Sequence, residues 1–150
     1  MSDLKNEIVV HLLSLQRDRI KELIQYQNDL SDSLQSESKS TAGDKHDTSR
    51  AMIHLEQEKL QHQTKELNHQ YQRLREISSL NELHAVSFGA LVETETDIFL
   101  LGASLGKQII EGRIIYCIGM EAPISQSMLG KIVGGELFFN GKITEIKSIS

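Results

Sequence analysis

The sequence predicts an α+β fold in which an antiparallel helical hairpin is followed by a small antiparallel β domain. Residues 1–80 are rich in Gln, Glu, Lys, Asp and Ser and contain one glycine, whereas residues 81–150 contain the other nine glycines, the only proline and all four Phe. The hydrophobic pattern also changes, from helical steps to short apolar runs bounded by turn residues. We therefore predict a coiled-coil hairpin over residues 1–79 and a β domain over residues 80–150.

The first helix is predicted over residues 4–34, which contain neither proline nor glycine. Its apolar residues are spaced by three, four or sums of these numbers, as on one face of a helix. They are Leu4, Ile8, Leu12, Leu15, Leu23, Tyr26 and Leu30. A helix of about 30 residues is about 45 Å long, which is more than a compact domain of this size needs.

The second helix is predicted to begin near Asp47 or Thr48 and to end at about Ile77. Its apolar residues repeat every seven positions, at Ile53, Leu60, Leu67 and Leu74, as in a coiled coil. Two helices of similar length joined by a short turn pack antiparallel. Since most of the other seam positions are polar, a hairpin that projects into solvent is one interpretation. Dimerisation that buries more of each helix is the other.

Residues 42–48 form the predicted tip of the hairpin and carry two acids, Asp44 and Asp47. Gly43 lowers the steric cost of a tight turn, and either acid can cap the second helix. Acids at the end of a long rod contribute nothing to a core. Mg²⁺ prefers carboxylate oxygens together with water and substrate oxygens. The two acids are therefore helix caps, or half of a metal site that another molecule completes.

The β domain is predicted from five apolar runs, each bounded by turn residues. These runs are residues 86–92, 98–101, 109–118 with a break at 111–113, 136–139 and 142–146. Asn140-Gly141 between the last two runs is a strong hairpin signal. Pro123 favours the start of a short helix over residues 124–129, and Gly130 favours its end.

Composition excludes several classes of function. The formal charge of −5 is spread over both halves of the chain without a basic block, which disfavours autonomous binding to duplex DNA. The N-terminus lacks the pattern of a signal peptide. No apolar stretch is long enough to span a bilayer, so we expect no membrane partner and a cytoplasmic location.

The sequence also lacks the motifs of a self-contained enzyme. Cys117 is the only cysteine, which excludes an intrachain disulfide. Its apolar neighbours indicate a buried strand thiol rather than a nucleophile. The segment 102–107 lacks the spacing of a phosphate-binding loop, and no paired nucleophile and base is evident. His54, His62 and His69 are interpreted as solvated residues or polar seam residues of the second helix.

Three segments together resemble the Gre-factor family, the bacterial transcript-cleavage factors that act on RNA polymerase. Gly43-Asp44-Lys45-His46-Asp47 resembles the tip motif of the family, although the family usually has Glu at the last position. The segment 116–121 resembles its Tyr-x-Ile-Val-Gly strand and the following acid. The segment 122–134, Ala-Pro-Ile-Ser-Gln-Ser-Met-Leu-Gly-Lys-Ile-Val-Gly, resembles its C-terminal signature.

This resemblance implies an N-terminal antiparallel coiled coil and a C-terminal FKBP-like domain. It implies that the C-terminal domain docks near the secondary channel of RNA polymerase while the coiled coil reaches the active centre. There Asp44 and Asp47 would hold a catalytic Mg²⁺ jointly with polymerase, next to the 3′ end of the nascent RNA. The protein would have no cofactor of its own. The residues implied in polymerase binding are Pro123, Ile124, Ser125, Leu129, Gly130 and Lys131.

The leading hypothesis is therefore an accessory factor, not itself an enzyme, that stimulates cleavage of backtracked RNA by polymerase. A second hypothesis is a regulator that enters the same channel and inhibits polymerase. A third is a coiled-coil adaptor that is unrelated to polymerase.

Overall fold

The computed structural model of the chain describes residues 2–38 and 43–150, with side chains described for residues 2–36 and 48–150. Two long helices, α1 and α2, are followed by six strands and a short helix, α3. The elements are α1 Asp3–Ser38, α2 Gly43–Ser78, β1 Leu91–Thr94, β2 Ile98–Leu101, β3 Gly106–Ile110, β4 Arg113–Ile118, α3 Pro123–Met128, β5 Glu136–Phe139 and β6 Lys142–Ile149. The predicted α+β class is confirmed.

The helices α1 and α2 each contain 36 residues. The predicted first helix is confirmed and is longer at both ends. The prediction that the second helix begins near Asp47 or Thr48 is wrong, because α2 begins at Gly43. Acidic residues are favoured near a helix N-terminus by the helix dipole, which makes this segment compatible with helix. Ala42, the first residue of the predicted tip, lies outside the described residues.

The chain divides into two compact units. The first, which we call the sheet unit, contains Met1–Ser14 and Gln70–Ser150, and the second, the hairpin unit, contains Leu15–His69. This division cuts both helices, whereas the boundary predicted after residue 79 follows the end of α2. The physical reason is that apolar residues at these helix ends pack in one buried cluster with sheet residues such as Leu91 and Ile115. They are Ile8, Val9, Leu12, Leu74 and Ile77.

The six strands form one sheet in the order β3-β4-β2-β1-β6-β5. Every pairing is antiparallel except that of β2 with β4, which is parallel. Alternate strand residues point to opposite faces of a sheet. Leu100 therefore joins the cluster that contains the helix ends, whereas Phe99 and Leu101 join a second cluster with Met128 of α3. The sheet is covered by α1 and α2 residues on one face and by α3 on the other.

Two tight turns set the register of the outer hairpins. Asn140 and Gly141 connect β5 to β6 with φ angles of 52° and 75°, and Glu111 and Gly112 connect β3 to β4 with φ angles of 50° and 79°. Positive φ at both central residues is what a two-residue type I′ turn requires. The hairpin predicted at Asn140-Gly141 is confirmed, as is the break predicted at residues 111–113.

Candidate functional site

The acids of the predicted tip are in the first two turns of α2. The backbone of Asp44 and Asp47 belongs to α2, which starts at Gly43, but their side chains lie outside the described residues. The predicted roles of Asp44 and Asp47 as catalytic residues and metal ligands stay predictions. These acids belong to the hairpin unit, whereas the residues predicted to bind polymerase belong to the sheet unit.

The short helix α3 positions the second group of predicted site residues. Pro123 occupies its first turn after Ala122, whose backbone is extended, because proline needs no hydrogen-bond partner there. Ser125 and Met128 are buried and fix α3 to the sheet. The Ser125 hydroxyl donates a hydrogen bond of 2.7 Å to the carbonyl oxygen of Gly119. This leaves the opposite side of α3 facing outward.

A groove of about 640 Å³ lies between α3 and the β5–β6 hairpin. Its lining includes Pro123, Ile124 and Lys131 from the α3 segment and Phe138, Phe139 and Ile143 from the β5–β6 hairpin. The Lys131 ammonium donates a hydrogen bond to the backbone carbonyl of Glu136, which links the end of the α3 segment to the start of β5.

The groove presents aromatic and aliphatic surface to solvent. Phe138 and Ile143 are paired across β5 and β6, and their exposed fractions are 66% and 70%. Phe139 is held in place from below by Phe99 and Tyr116, at ring-centroid distances of 5.0 and 5.2 Å. A rigid apolar patch with a few polar groups at its edge is typical of a protein-binding surface.

Three of the six residues predicted to bind polymerase line this groove, namely Pro123, Ile124 and Lys131. Ser125 is fully buried and supports α3 from inside, while Leu129 is 39% exposed and does not line the groove. Gly130 ends the helical segment with a φ of 80°.

Sequence reasoning missed the contribution of β5 and β6 to this surface. Phe138 and Phe139 are adjacent in a strand, so their side chains point to opposite faces. Since Phe139 packs on the core, Phe138 must face outward. Two consecutive aromatic residues in an edge hairpin are therefore the signal that could have predicted an exposed apolar surface.

Two features of the described residues concern metal binding and the reactivity of the thiol. Within residues 2–36 and 48–150, no group of three or more His, Cys, Asp or Glu side chains is close enough to hold a metal ion. Cys117 is 1% exposed, and burial raises the pKa of its thiol to about 12, so the thiolate nucleophile is disfavoured. The interpretation of Cys117 as a buried strand thiol is confirmed. His54, His62 and His69 are exposed, so of the two predicted alternatives they are solvated residues.

Comparison with known families and with curated proteins finds no match to this chain. The resemblance described above therefore depends on the tip motif and on the segments 116–121 and 122–134 alone. Across the described residues, no helix combines the length and the apolar character that crossing a membrane requires.

Proposed function

We propose that this protein is an RNA polymerase-binding elongation factor that stimulates cleavage of backtracked RNA. The main support is the order of its parts, since a Gly43-Asp44-x-x-Asp47 motif lies at the start of the second of two 36-residue helices and the sheet follows them. A helix of 36 residues is about 54 Å long, which is long enough to carry a side chain into a deep channel. The factor works in the cytoplasm, where bacterial transcription takes place.

The hairpin unit has the pairing that such a stalk requires. The amide of Gln16 donates a hydrogen bond of 3.0 Å to the carbonyl of Leu67, and that of Gln57 donates one of 3.2 Å to the Ser31 hydroxyl. As α1 is followed forward, its partners lie progressively earlier in α2, so the helices run antiparallel. Antiparallel pairing brings the end of α1 and the start of α2, with Asp44 and Asp47, to the same end of the hairpin unit.

Asp44 and Asp47 would hold a Mg²⁺ ion together with ligands from polymerase. Their carboxylate oxygens are the hard donors that Mg²⁺ prefers, but two acids supply too few ligands for its octahedral shell. The donor set therefore fits a shared ion better than a metal site of this protein alone. When bound, such an ion would stabilise charge on the attacking and leaving oxygens of phosphodiester hydrolysis.

The sheet unit would dock on polymerase through the groove beside α3. The support for this docking surface is the exposed apolar pair Phe138 and Ile143. The predicted contact residues Pro123, Ile124 and Lys131 line the same groove. Docking by the sheet unit and catalysis by the hairpin unit would separate the two roles between different parts of the chain.

The test is cleavage of RNA in a stalled, backtracked elongation complex. Wild-type protein should stimulate cleavage, and the Asp44→Ala/Asp47→Ala variant should bind polymerase without doing so. Loss of several kcal/mol of charge stabilisation corresponds to more than about 100-fold in rate. The matched control is Asp18→Ala/Asp32→Ala, which removes two exposed acids of α1 and should retain stimulation.

Other outcomes would contradict the proposal in different ways. Binding without stimulation would favour the inhibitory regulator. Absence of binding to polymerase would favour the coiled-coil adaptor. Equal loss of stimulation in the control variant would assign the effect to net charge rather than to Asp44 and Asp47.

A further inference from the structure

The hairpin unit has little core of its own. Among its described residues, only Gln16 and Leu60 are buried, with exposed fractions of 0% and 3%. Hydrogen bonds from Gln16, Gln27 and Gln57 connect its two helices. Helices in proteins gain most of their stability from the packing of an apolar face. Apart from Leu60, the described apolar side chains of this unit are only half-buried or exposed, so the two helices would gain stability from a further packing partner.

An open groove of about 510 Å³ runs between α1 and α2 within this unit. Its apolar lining comes from Leu23, Tyr26 and Leu67, and its charged lining comes from Arg19, Glu22 and Glu66. Tyr26 is 46% exposed. The groove thus combines accessible aromatic and aliphatic surface with charges of both signs.

The same side of α2 continues this surface along the helix. Met52 and Leu55 are separated from Lys59, Gln63 and Glu66 by steps of three and four or their sums, so all five share one side of the helix. Met52 and Leu55 have exposed fractions of 66% and 65%. We call the surface formed by Arg19, Glu22, Tyr26, Met52, Leu55, Lys59 and Glu66 the hairpin face.

The charges of the hairpin face indicate which partner it fits. Arg19 and Lys59 are positive, whereas Glu22, Glu66 and Glu56 are negative; Glu56 lies four positions after Met52 on the same side of α2. In a two-fold symmetric interface, each copy presents the same patch to the other. A patch of a single sign would repel its copy, but a patch that carries both signs can pair with itself. A strongly charged ligand, by contrast, would meet repulsion from some of these groups.

We propose that the hairpin face binds a second copy of this chain, in a two-fold arrangement of four helices with Tyr26 as an anchor. Aromatic residues such as Tyr contribute strongly when they are buried at the centre of an interface. This inference does not rest on the proposed function. It adds a condition to that function, because a dimer through the hairpin unit and insertion of that unit into a channel exclude each other. The dimer would have to dissociate before the hairpin unit enters the channel.

The first test measures the association state by sedimentation velocity over a range of concentrations. Wild-type protein should show a monomer–dimer equilibrium, and Tyr26→Glu should raise its dissociation constant by at least about tenfold, because it removes an aromatic anchor and buries a charge. The matched control is Ile24→Glu. Ile24 has nearly the same exposed fraction, 45% against 46%, but lies about 200° around the helix from Tyr26.

The Ile24→Glu variant should dimerise like wild type. Helical circular dichroism should be unchanged in both variants, since both positions are exposed. A wild-type chain that stays monomeric up to about 100 μM would overturn the proposal. Equal weakening by Ile24→Glu and Tyr26→Glu would also overturn it, because the contact would then not be specific to the hairpin face.

The second test locates the contact directly. Glu22→Cys and Ile24→Cys variants, which both keep Tyr26, are treated with a short bis-maleimide, against a low background because the native Cys117 thiol is 1% exposed. Glu22 is exposed and lies one turn before Tyr26 on the hairpin face. Covalent dimers should form with Glu22→Cys and not with Ile24→Cys. Dimers that form only with Ile24→Cys would assign the interface to the other side of α1 and contradict the proposal.

Discussion

Lys5 is a buried cation whose replacement should stabilise the fold. Its exposed fraction is 0%, and its Nζ has no hydrogen-bond partner among the described residues. Ile8 and Val9, which lie three and four positions along α1, belong to the apolar cluster that packs with the sheet. Burial lowers the pKa of Lys5 below its ordinary value of 10.5. Lys5→Met keeps an unbranched side chain out to Cε, with sulfur in place of the δ-methylene, and removes the amine.

The expected stabilisation by Lys5→Met follows from the cost of an unsatisfied buried polar group, which is about 1–3 kcal/mol. We therefore expect Lys5→Met to raise the free energy of unfolding by about that amount near neutral pH. For a chain of this length, each kcal/mol raises the Tm by about 2–4 °C. The matched control is Lys21→Met on the same helix, because Lys21 is exposed and should change stability by less than about 0.5 kcal/mol.

The rise in the free energy of unfolding caused by Lys5→Met should depend on pH, in a direction that the pKa of Lys5 determines. Because that pKa is lowered in the folded state, the unfolded state binds more protons between the folded-state pKa and 10.5. The wild-type free energy of unfolding therefore receives a contribution that rises with pH in this window. The advantage of Lys5→Met is complete below the folded-state pKa and shrinks as the pH approaches 10.5.

Urea unfolding followed by circular dichroism, at about pH 7 and about pH 10, measures both effects. A Lys5→Met variant that is less stable than Lys21→Met at neutral pH would refute the reasoning, because it would mean that the ammonium makes a favourable interaction. An advantage that does not change with pH would contradict the assignment of the penalty to the charged amine.

Two further predictions concern the sheet unit. Phe138→Glu should weaken binding to polymerase at least about tenfold in a pull-down titration. The control Ile109→Glu should bind like wild type, and its exposed fraction of 68% matches the 66% of Phe138. Equal effects of the two variants would contradict docking through the groove. Gly102→Ala should lower the Tm by more than Gly112→Ala, because both glycines have positive φ but a Cβ at Gly102 would lie 2.6 Å from the Phe88 ring and one at Gly112 would contact nothing within 4 Å. Equal Tm values would show that the ring moves aside at little cost.

Local signals predicted most elements of this fold, although the run predicted at residues 86–92 overlaps β1, Leu91–Thr94, by only two residues. The runs at residues 98–101 and 136–139 coincide with β2 and β5, because each is a short apolar run that ends at turn residues. The helices were predicted from a period that extends over many residues, which is the most reliable pattern in a single sequence. The start of α2 was predicted less well, since Gly43 is compatible with a turn as well as with the first residue of a helix.

The order of the strands could not be predicted from these signals. β2 pairs with β4 in parallel, at Leu100 with Cys117, while β3 pairs on the outer side of β4. An apolar run specifies that a strand is buried, but it does not specify which strand lies beside it. The groove beside α3 was missed in part for the same reason. The groove forms only because β6 lies between β1 and β5 and so leaves β5 at the edge of the sheet. There β5 lies next to residues that are distant in sequence.

The tip illustrates a different limit on sequence reasoning. Asp44 and Asp47 are too few to complete the coordination shell of a hard cation, so their proposed chemistry depends on ligands from another molecule. Neither the sequence nor the fold of one chain contains those ligands. The motif therefore predicts which residues lie at the tip, and an assay with polymerase is needed to measure the effect of Asp44 and Asp47 on RNA cleavage.

The leucine heptad of α2 shows how packing with the sheet decides which part of a uniform heptad stays available for partners. The heptad signal is uniform along the helix, yet Leu74 is 0% exposed and packs with the sheet, whereas Leu67 lines an open groove. Leu74 has an apolar companion three residues later in Ile77, and Leu67 has polar companions in Gln63 and Gln70. Leu60 is 3% exposed although its companions Gln57 and Gln63 are polar, so the companions alone do not decide burial. Leu74 is buried because its end of α2 packs with the sheet, whereas Leu67 lies in the hairpin unit and lines the groove of the hairpin face.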